Sequence, residues 1–369
     1  MITTTLTSRE RCERILRGQP VDRVPIRLWG VDPLETGTRP CWQFLPDLVN
    51  EFGLDVFFGW SPMPPPCAME IRRDERETAD PAWYELVTTL RAPAGDLTRI
   101  DLVHRGGKPG YTRKHLIDSV EDAHRWLSIP EDPLPGLDPF AARVAQVGDR
   151  GLVMTGVGQA MYTVNDATGS ELWGYWLYDE RALLHAMIAK VHRGIIARVK
   201  HYLAAGIGPL FGWVGPELCI PPLASPADFD DLSTRYDKPV IDLIHDAGGL
   251  VWIHCHGDMH PVLERFADMG VDCLNPIEPP PMGKLTLADA KRRVGDRMTL
   301  EGGIEVGDFE LGSPETVAAH VEEAMAMGKP GGRFILCPSS DHTHWPDLHD
   351  HIARNYRAFV ETGMRLAAY

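Results

Sequence analysis

The sequence predicts a parallel α/β fold, a single (β/α)8 TIM-type barrel with an irregular N-terminal excursion, and three observations lead there. From Gly151 onward short apolar runs recur: Leu152-Val153-Met154, Leu210-Phe211-Gly212-Trp213, Leu250-Val251-Trp252-Ile253, Cys273-Leu274, Met298-Thr299-Leu300 and Phe334-Ile335-Leu336. Each is short enough for a strand buried on both faces. Between them lie stretches with helix start and stop signals, and strands alternating with helices imply βαβ units. Two earlier runs, near Val24 and at Val56-Phe57-Phe58, bring the strand count to eight. A doubly wound sheet is the alternative. The Gly156-Val157-Gly158 segment lacks the third glycine and the following acid of a dinucleotide-binding turn, which argues against a Rossmann unit.

The elements follow in order. Thr7 and Glu10 form a capping-box pattern ahead of a helix over Ser8 to Arg17, and Gly18 stops it. Asp22-Arg23-Val24-Pro25-Ile26 leads into a short strand. From Arg27 to Gly148 the pattern is irregular, rich in Pro and Trp and carrying Pro64-Pro65-Pro66, so excursions and lids are expected there. Further on, Ser225-Pro226 and Ser313-Pro314 each place an N-cap before a proline at the first helical position. Asp258 and Thr286 are further caps, and Gly248, Gly270, Gly295 and Gly328 end helices.

Composition narrows the function. The chain has 369 residues, 44% hydrophobic and 24% charged, enough to bury a large core. Its 52 acids exceed its 37 Lys and Arg, for a net charge of −15, and no basic run stands out. Nucleic acid and an anionic membrane are therefore poor partners. Seven scattered cysteines without a C-x-x-C pair, and no leader ahead of them, suit free thiols in a cytoplasmic protein. No apolar stretch approaches the roughly 20 residues of a membrane-spanning helix.

In a barrel the chemistry sits at the C-terminal ends of the strands. Those ends here are polar: Glu217 after Trp213, His254 and His256 after Ile253, Glu278 after Asn275-Pro276-Ile277, Glu301 and Glu305 after Leu300, then Ser339, Ser340, Asp341, His342 and His344. Residues i and i+2 of an extended segment point the same way, so His254 and His256 can converge on one metal ion. Two imidazoles suit zinc, and also iron, cobalt or manganese, with a neighbouring carboxylate completing the set. Cys255 between them faces the core. Glu278, stiffened by Pro279-Pro280-Pro281, is a metal ligand, a general base or a loop-stabilising acid. Glu217 in Gly-Pro-Glu carries the same ambiguity. Glu301 opens Glu301-Gly302-Gly303, where small residues let a ligand approach the backbone.

Several motifs together resemble the uroporphyrinogen decarboxylase superfamily. They are Ser8-Arg9-Glu10-Arg11, Leu16-Arg17-Gly18 and Asp22-Arg23-Val24-Pro25 at one end, and Ser225-Pro226 with Phe229, His245-Asp246-Ala247-Gly248-Gly249, His254-Cys255-His256-Gly257 and Gly270-Val271-Asp272 at the other. The resemblance implies one barrel domain over residues 1–369. It lies nearer the zinc-dependent methyltransferase branch than the porphyrinogen decarboxylases, whose paired arginines after Asp-Arg-Val-Pro are reduced here to Arg27. In the methyltransferases His-x-Cys-Gly and a later Cys bind zinc; His254 matches, His256 replaces the Cys, and the later Cys falls near Ser340, Asp341 or His342. Glu278 matches an acid close to the zinc. Two neutral imidazoles leave a stronger Lewis acid than thiolates do, which suits an oxygenated substrate better than thiol alkylation.

The resulting expectation is a metal-dependent methyl or one-carbon transferase of the demethylase type, acting on a small oxygenated substrate. His254, His256, Glu278 and His342 are its expected ligands to a divalent metal, zinc first, and Glu217, Glu301 and Asp341 its catalytic acids. The resemblance also implies a separate corrinoid protein as a partner, and a homodimer compatible with exposed Trp residues. A decarboxylase of a small non-porphyrin carboxylic acid is the alternative, with the metal or Arg27 holding the carboxylate. A third reading is a non-catalytic barrel that binds a metal or a corrinoid protein.

Overall fold

All six apolar runs after Gly151 become strands in the computed structural model, which describes residues 5–35, 42–62, 69–137, 139–342 and 348–369. In chain order the strands are β1 (Phe57–Trp60), β2 (Ile71–Glu77), β3 (Trp83–Ala92), β4 (Gly95–His104), β5 (Tyr111–Lys114), β6 (Leu152–Gly156), β7 (Leu210–Val214), β8 (Leu250–His254), β9 (Cys273–Ile277), β10 (Thr299–Ile304) and β11 (Phe334–Pro338). Seven of them form one all-parallel sheet in the order β1-β6-β7-β8-β9-β10-β11. Helices fill the crossovers, among them Ala160–Asp179 and Arg181–Ala204 before β7, Arg235–Asp246 before β8, and Pro314–Gly328 before β11. The run near Val24 contributes a single parallel bridge rather than a strand. Ile26 pairs with Leu336, Arg27 N–H donates to Leu336 O at 3.0 Å, and on the other side Asp55 N–H donates to Ile26 O at 2.9 Å.

The stretch expected to be irregular is more ordered than its composition suggests. Strands β2 to β5 form a separate antiparallel meander of four strands, with β2 almost wholly exposed and charged. Its sequence, Ile-Arg-Arg-Asp-Glu-Arg-Glu, hides the strand because neither face of β2 is buried, so no apolar alternation marks it. The Pro64–Pro66 cluster, Cys41, Cys67, His344 and Trp345-Pro346 lie outside the described residues.

Alternation along the parallel strands sorts two cores. Phe57, Leu152, Leu210, Leu250, Trp252, Cys273 and Ile335 make one cluster on the inner face of the curled sheet, joined by Cys12, Ile15 and Leu16 of the first helix. The intervening residues, such as Val153, Phe211, Val251, Ile253 and Leu274, face the helices in the larger core. The first helix carries the expected capping box at Thr7 and Glu10, and Ile15 O accepts from Thr299 Oγ1 at 2.8 Å, so it closes the N-terminal end of the sheet.

Most caps also stand as expected, with Ser225, Thr286 and Ser313 each accepting from the backbone three residues on. Asp258 is an exception: the next helix, Leu263–Met269, starts from Val262, and the Asp258 carboxylate accepts from His260 N–H in a local turn. Every described Trp is buried or half-buried, which removes the exposed-Trp argument for a homodimer. The described cysteines Cys12, Cys219, Cys255, Cys273 and Cys337 are free and buried. Among the described residues no helix is long and apolar enough to cross a membrane.

One polar group enters the inner core. Arg27 and Glu301, 5% and 0% exposed, form an ion pair there, and Trp252 Nε1 donates to the other Glu301 oxygen at 2.6 Å. The Arg27 guanidinium also stacks on the Phe57 ring, 3.7 Å from its centroid. Removing one partner strands the other charge away from water, which costs about 3–5 kcal/mol. Urea unfolding is therefore expected to show Arg27→Met destabilised by about that much, with the double variant Arg27→Met/Glu301→Leu recovering most of it.

Candidate active site

The inner-face register of β8 runs Leu250, Trp252, His254, which puts the His254 ring on the sheet's inner face at its C-terminal edge, above Trp252. The chain then leaves the strand and turns at Gly257, whose φ of +94° belongs to the left-handed region that glycine enters freely. This turn brings His256 back beside His254, with ring centroids 4.4 Å apart at 85°. Cys255 points away into the larger core, fully buried.

Each imidazole is oriented through Nδ1. On β9, Asn275 is the register partner of His254, and its Oδ1 lies 2.7 Å from His254 Nδ1. Glu278, just past β9, accepts from His256 Nδ1 at 2.8 Å and from Gly257 N–H at 2.9 Å. With Nδ1 donating in each ring, the lone pair sits on Nε2. Trp29 stacks on His254, centroids 4.4 Å apart at 25°, and also on Trp252, 5.7 Å away.

Burial and charge then drive these groups apart. Burial, with His256 beside it, lowers the His254 pKa to about 4 against the weaker pull of the Asn275 hydrogen bond. Burial acts the same way on His256, but the bond to Glu278 and the nearby Glu217 and Glu305 carboxylates overcome it and raise its pKa. Glu278 is lowered, because His256 and the Gly257 N–H outweigh burial. Burial raises Glu217, whose Oε2 accepts from Gly215 N–H at 3.0 Å, and burial together with Glu278 raises Glu305. The edge thus holds one imidazole of lowered basicity, an imidazole–carboxylate pair in which each partner favours the other's charged form, and two carboxyls whose pKa values are raised.

The residues expected from sequence divide accordingly. His254, His256, Glu278 and Glu217 come together. Glu301 does not stand on the rim; it belongs to the inner core with Arg27, and Glu305 is the β10 acid that reaches the cluster. Glu301 shares the inner face of β10 with Thr299, one layer below the rim, whereas Glu305 follows the end of the strand; beside them β9 carries a bulge at Asn275-Pro276. A Cβ on Gly302 would lie 2.5 Å from Ile277 N, so this glycine serves strand contact rather than ligand approach. His342 is 1% exposed, with ring contacts to Trp42, Phe44 and Tyr356, and Asp341, half-buried, accepts from Ser340 Oγ at 3.4 Å. Among the described residues no three His, Cys, Asp or Glu side chains are gathered as a metal cage. Asn275 and Trp29 were missed from the sequence. Only the pairing of β8 with β9 identifies Asn275, and nothing local marks Trp29.

An imidazole–carboxylate cluster on the C-terminal edge of a curled parallel sheet defines the class: an α/β protein with its polar site at the strand ends. The chain belongs to the uroporphyrinogen decarboxylase (URO-D) family, whose model matches residues 113–361. The uroporphyrinogen decarboxylase of Synechococcus sp. (strain CC9605) is 24% identical over 229 residues, 58% of this chain and 60% of that protein. That of Prochlorococcus marinus (strain MIT 9303) is 24% identical over 248 residues, 63% and 64% of the two chains. The chain thus spans less than two thirds of the length of these curated relatives. A methyltransferase from Methanosarcina mazei shares the fold with a TM-score of 0.57 at 15% identity, over 97% of this chain and 98% of that one.

The two histidines predict opposite titrations. By NMR, His254 is expected to stay neutral down to about pH 4, and His256 to hold its proton above the usual 6.5. Between pH 6.5 and about 4 the unfolded chain takes up a proton that folded His254 refuses, so its contribution to stability falls as pH drops through that window. His254→Gln is expected to flatten this dependence in urea midpoints measured across that range.

Proposed function

We propose that this chain is a metal-dependent enzyme of the URO-D family, a methyl or one-carbon transferase that acts on a small oxygenated substrate. What carries the reading is the pair His254 and His256, each fixed through Nδ1 by a polar partner and each presenting Nε2. That is how metal-binding imidazoles are oriented, by Asn275 for one ring and a carboxylate for the other. The low pKa of His254 keeps it in the neutral form that a ligand requires. Zinc is the first candidate, with iron, cobalt and manganese as others. Glu278, already bonded to His256 and Gly257, acts as the orienting carboxylate, and Asp341 and His342 are further candidates on the loop after β11. The same reading takes Pro25–Arg27 as the eighth strand of a closed (β/α)8 barrel.

A bound metal would supply Lewis acidity toward a substrate oxygen. The remaining chemistry falls to the protein. When a methyl group leaves an oxygen, that oxygen needs a proton, and Glu217 and Glu305 hold theirs above the ordinary carboxylate range. With a metal bound, His256 would give up its Nε2 proton and stay bonded to Glu278 through Nδ1, and Glu278 keeps the turn at Gly257 in place. The methyl acceptor in this reading is a separate corrinoid protein.

The second reading is a decarboxylase of a small carboxylic acid, and Glu217 and Glu305, whose pKa values burial raises, favour it as candidate proton donors, since a carbanion left by CO2 must be protonated. Arg27 is removed from it as the carboxylate holder, because its charge is balanced by Glu301. Release of CO2 from a panel of small acids separates the two.

Elemental analysis of the purified protein tests the common core. Near-stoichiometric metal is expected, lost in His254→Ala and His256→Ala, with Asn275→Leu weakening metal affinity by about 10–100-fold. Wild-type metal content in both histidine variants would overturn the reading.

A further inference from the structure

At the opposite, N-terminal end of the sheet lies a cleft of about 700 Å3 that the site above does not use. Apolar Ile15, Pro20, Val21 and Tyr369 line it together with polar Gln19, Asp22 and Arg333. Arg333, directly ahead of β11, is the feature of the wall that packing does not explain. Its φ of +50° puts a long side chain in the left-handed region, the only described non-glycine residue there. This conformation keeps the guanidinium on the cleft wall, flat against the first helix's stop at Gly18. A Cβ on Gly18 would lie 2.1 Å from Arg333 Nη2, so only glycine admits this placement.

In a chain with 52 acids against 37 Lys and Arg, a half-buried arginine ordinarily finds a carboxylate. Arg333 has none among the described residues; its charged neighbour is Lys291, another cation, whose Nζ donates to Gly332 O and whose pKa burial and Arg333 both lower. Lys329 adds a third positive charge at the rim, with Nζ 5.6 Å from the centre of the Tyr369 ring and a 2.9 Å bond to Leu366 O. Asp22, an acid on the same wall, is already ion-paired with Arg11. Arg333 is thus left with cations, not a carboxylate, as its charged company, while both lysines rest on backbone carbonyls.

We propose that this cleft is a second ligand site, which takes a small organic oxyanion with an apolar body. The planar fork of Arg333 faces the oxyanion, Lys291 and Lys329 reinforce the field, and Ile15, Val21 and Tyr369 cover the body. The site lies at the end of the sheet remote from His254, so occupancy is readable without any metal or turnover.

Calorimetric titration of the full chain with benzoate, phenyl phosphate and benzamide tests this. Saturable binding of benzoate or phenyl phosphate is expected, and whichever binds more tightly identifies a carboxylate or a phosphate as the preferred head group. Benzamide, the neutral counterpart, is expected to show none. Arg333→Asn keeps a residue that tolerates positive φ and is expected to weaken binding by about tenfold or more, with its unfolding midpoint no lower than that of the wild type and its metal content unchanged. Should that variant fail to fold, Arg333→Lys carries the test, since it keeps the charge but loses the fork and is expected to bind several-fold more weakly. Failure of both anions to saturate at millimolar concentration, equal binding of benzamide, or undiminished binding by the folded variant overturns the proposal.

Discussion

The buried ion pair between Arg27 and Glu301 is the constraint on which the site depends. Two charges removed from water must be matched in place, and here the match joins residues 274 positions apart. It fixes the segment after the first bridge against β10. Two residues beyond Arg27, Trp29 stacks on both His254 and Trp252, with ring centroids 4.4 and 5.7 Å away, and Trp252 donates to the same Glu301. The imidazole at the edge of β8 therefore belongs to an aromatic cluster with Trp29 and Trp252 that rests on the Arg27–Glu301 pair. Its ring plane is set by stacking and its tautomer by Asn275.

Around that cluster, neighbouring groups of one type are pushed in opposite directions. Of the two histidines, the one sealed among aromatic rings loses basicity, and the one bonded to Glu278 gains it. Of the three carboxyls, the one with an imidazole and a backbone N–H has its pKa lowered, while the two whose burial is less well compensated have theirs raised. Such divergence gives a site separate acid and base roles at a single pH. It arises from geometry of a few ångströms: the turn at Gly257, which supplies one bond to Glu278, and the position of Glu305 past the end of β10, where Glu278 adds to the effect of burial.

The two ends of the sheet are also electrostatically unlike. The C-terminal edge concentrates carboxylates and imidazoles, whereas Arg333, Lys291 and Lys329 gather at the N-terminal end around an apolar cleft. The first helix lies between the inner core and that cleft: Ile15 belongs to both, and Gly18 at the helix end makes room for the guanidinium.

Local signals in the chain determined a good deal by themselves. The apolar runs of β6 to β11, the capping boxes and the glycine stops have periods and short-range bonds that are complete within a few residues. The approach of His254 to His256 was legible for the same reason, since two residues along an extended segment need no distant partner. The meander of β2 to β5 was not, because a charged strand exposed on both faces carries no apolar alternation. Nor could the chain alone tell Glu301 from Glu305. Both follow Leu300 within one strand end, and which of them meets Arg27 or His256 depends on where β10 ends and on a cation near the N-terminus. Asn275 and Trp29 likewise gain their roles only when β9 and the N-terminal segment close around β8. Sequence determined which residues bear the chemistry, through local periodicity and spacing; tertiary structure decided which of them share one environment, because burial and charge pairing act through space and not along the chain.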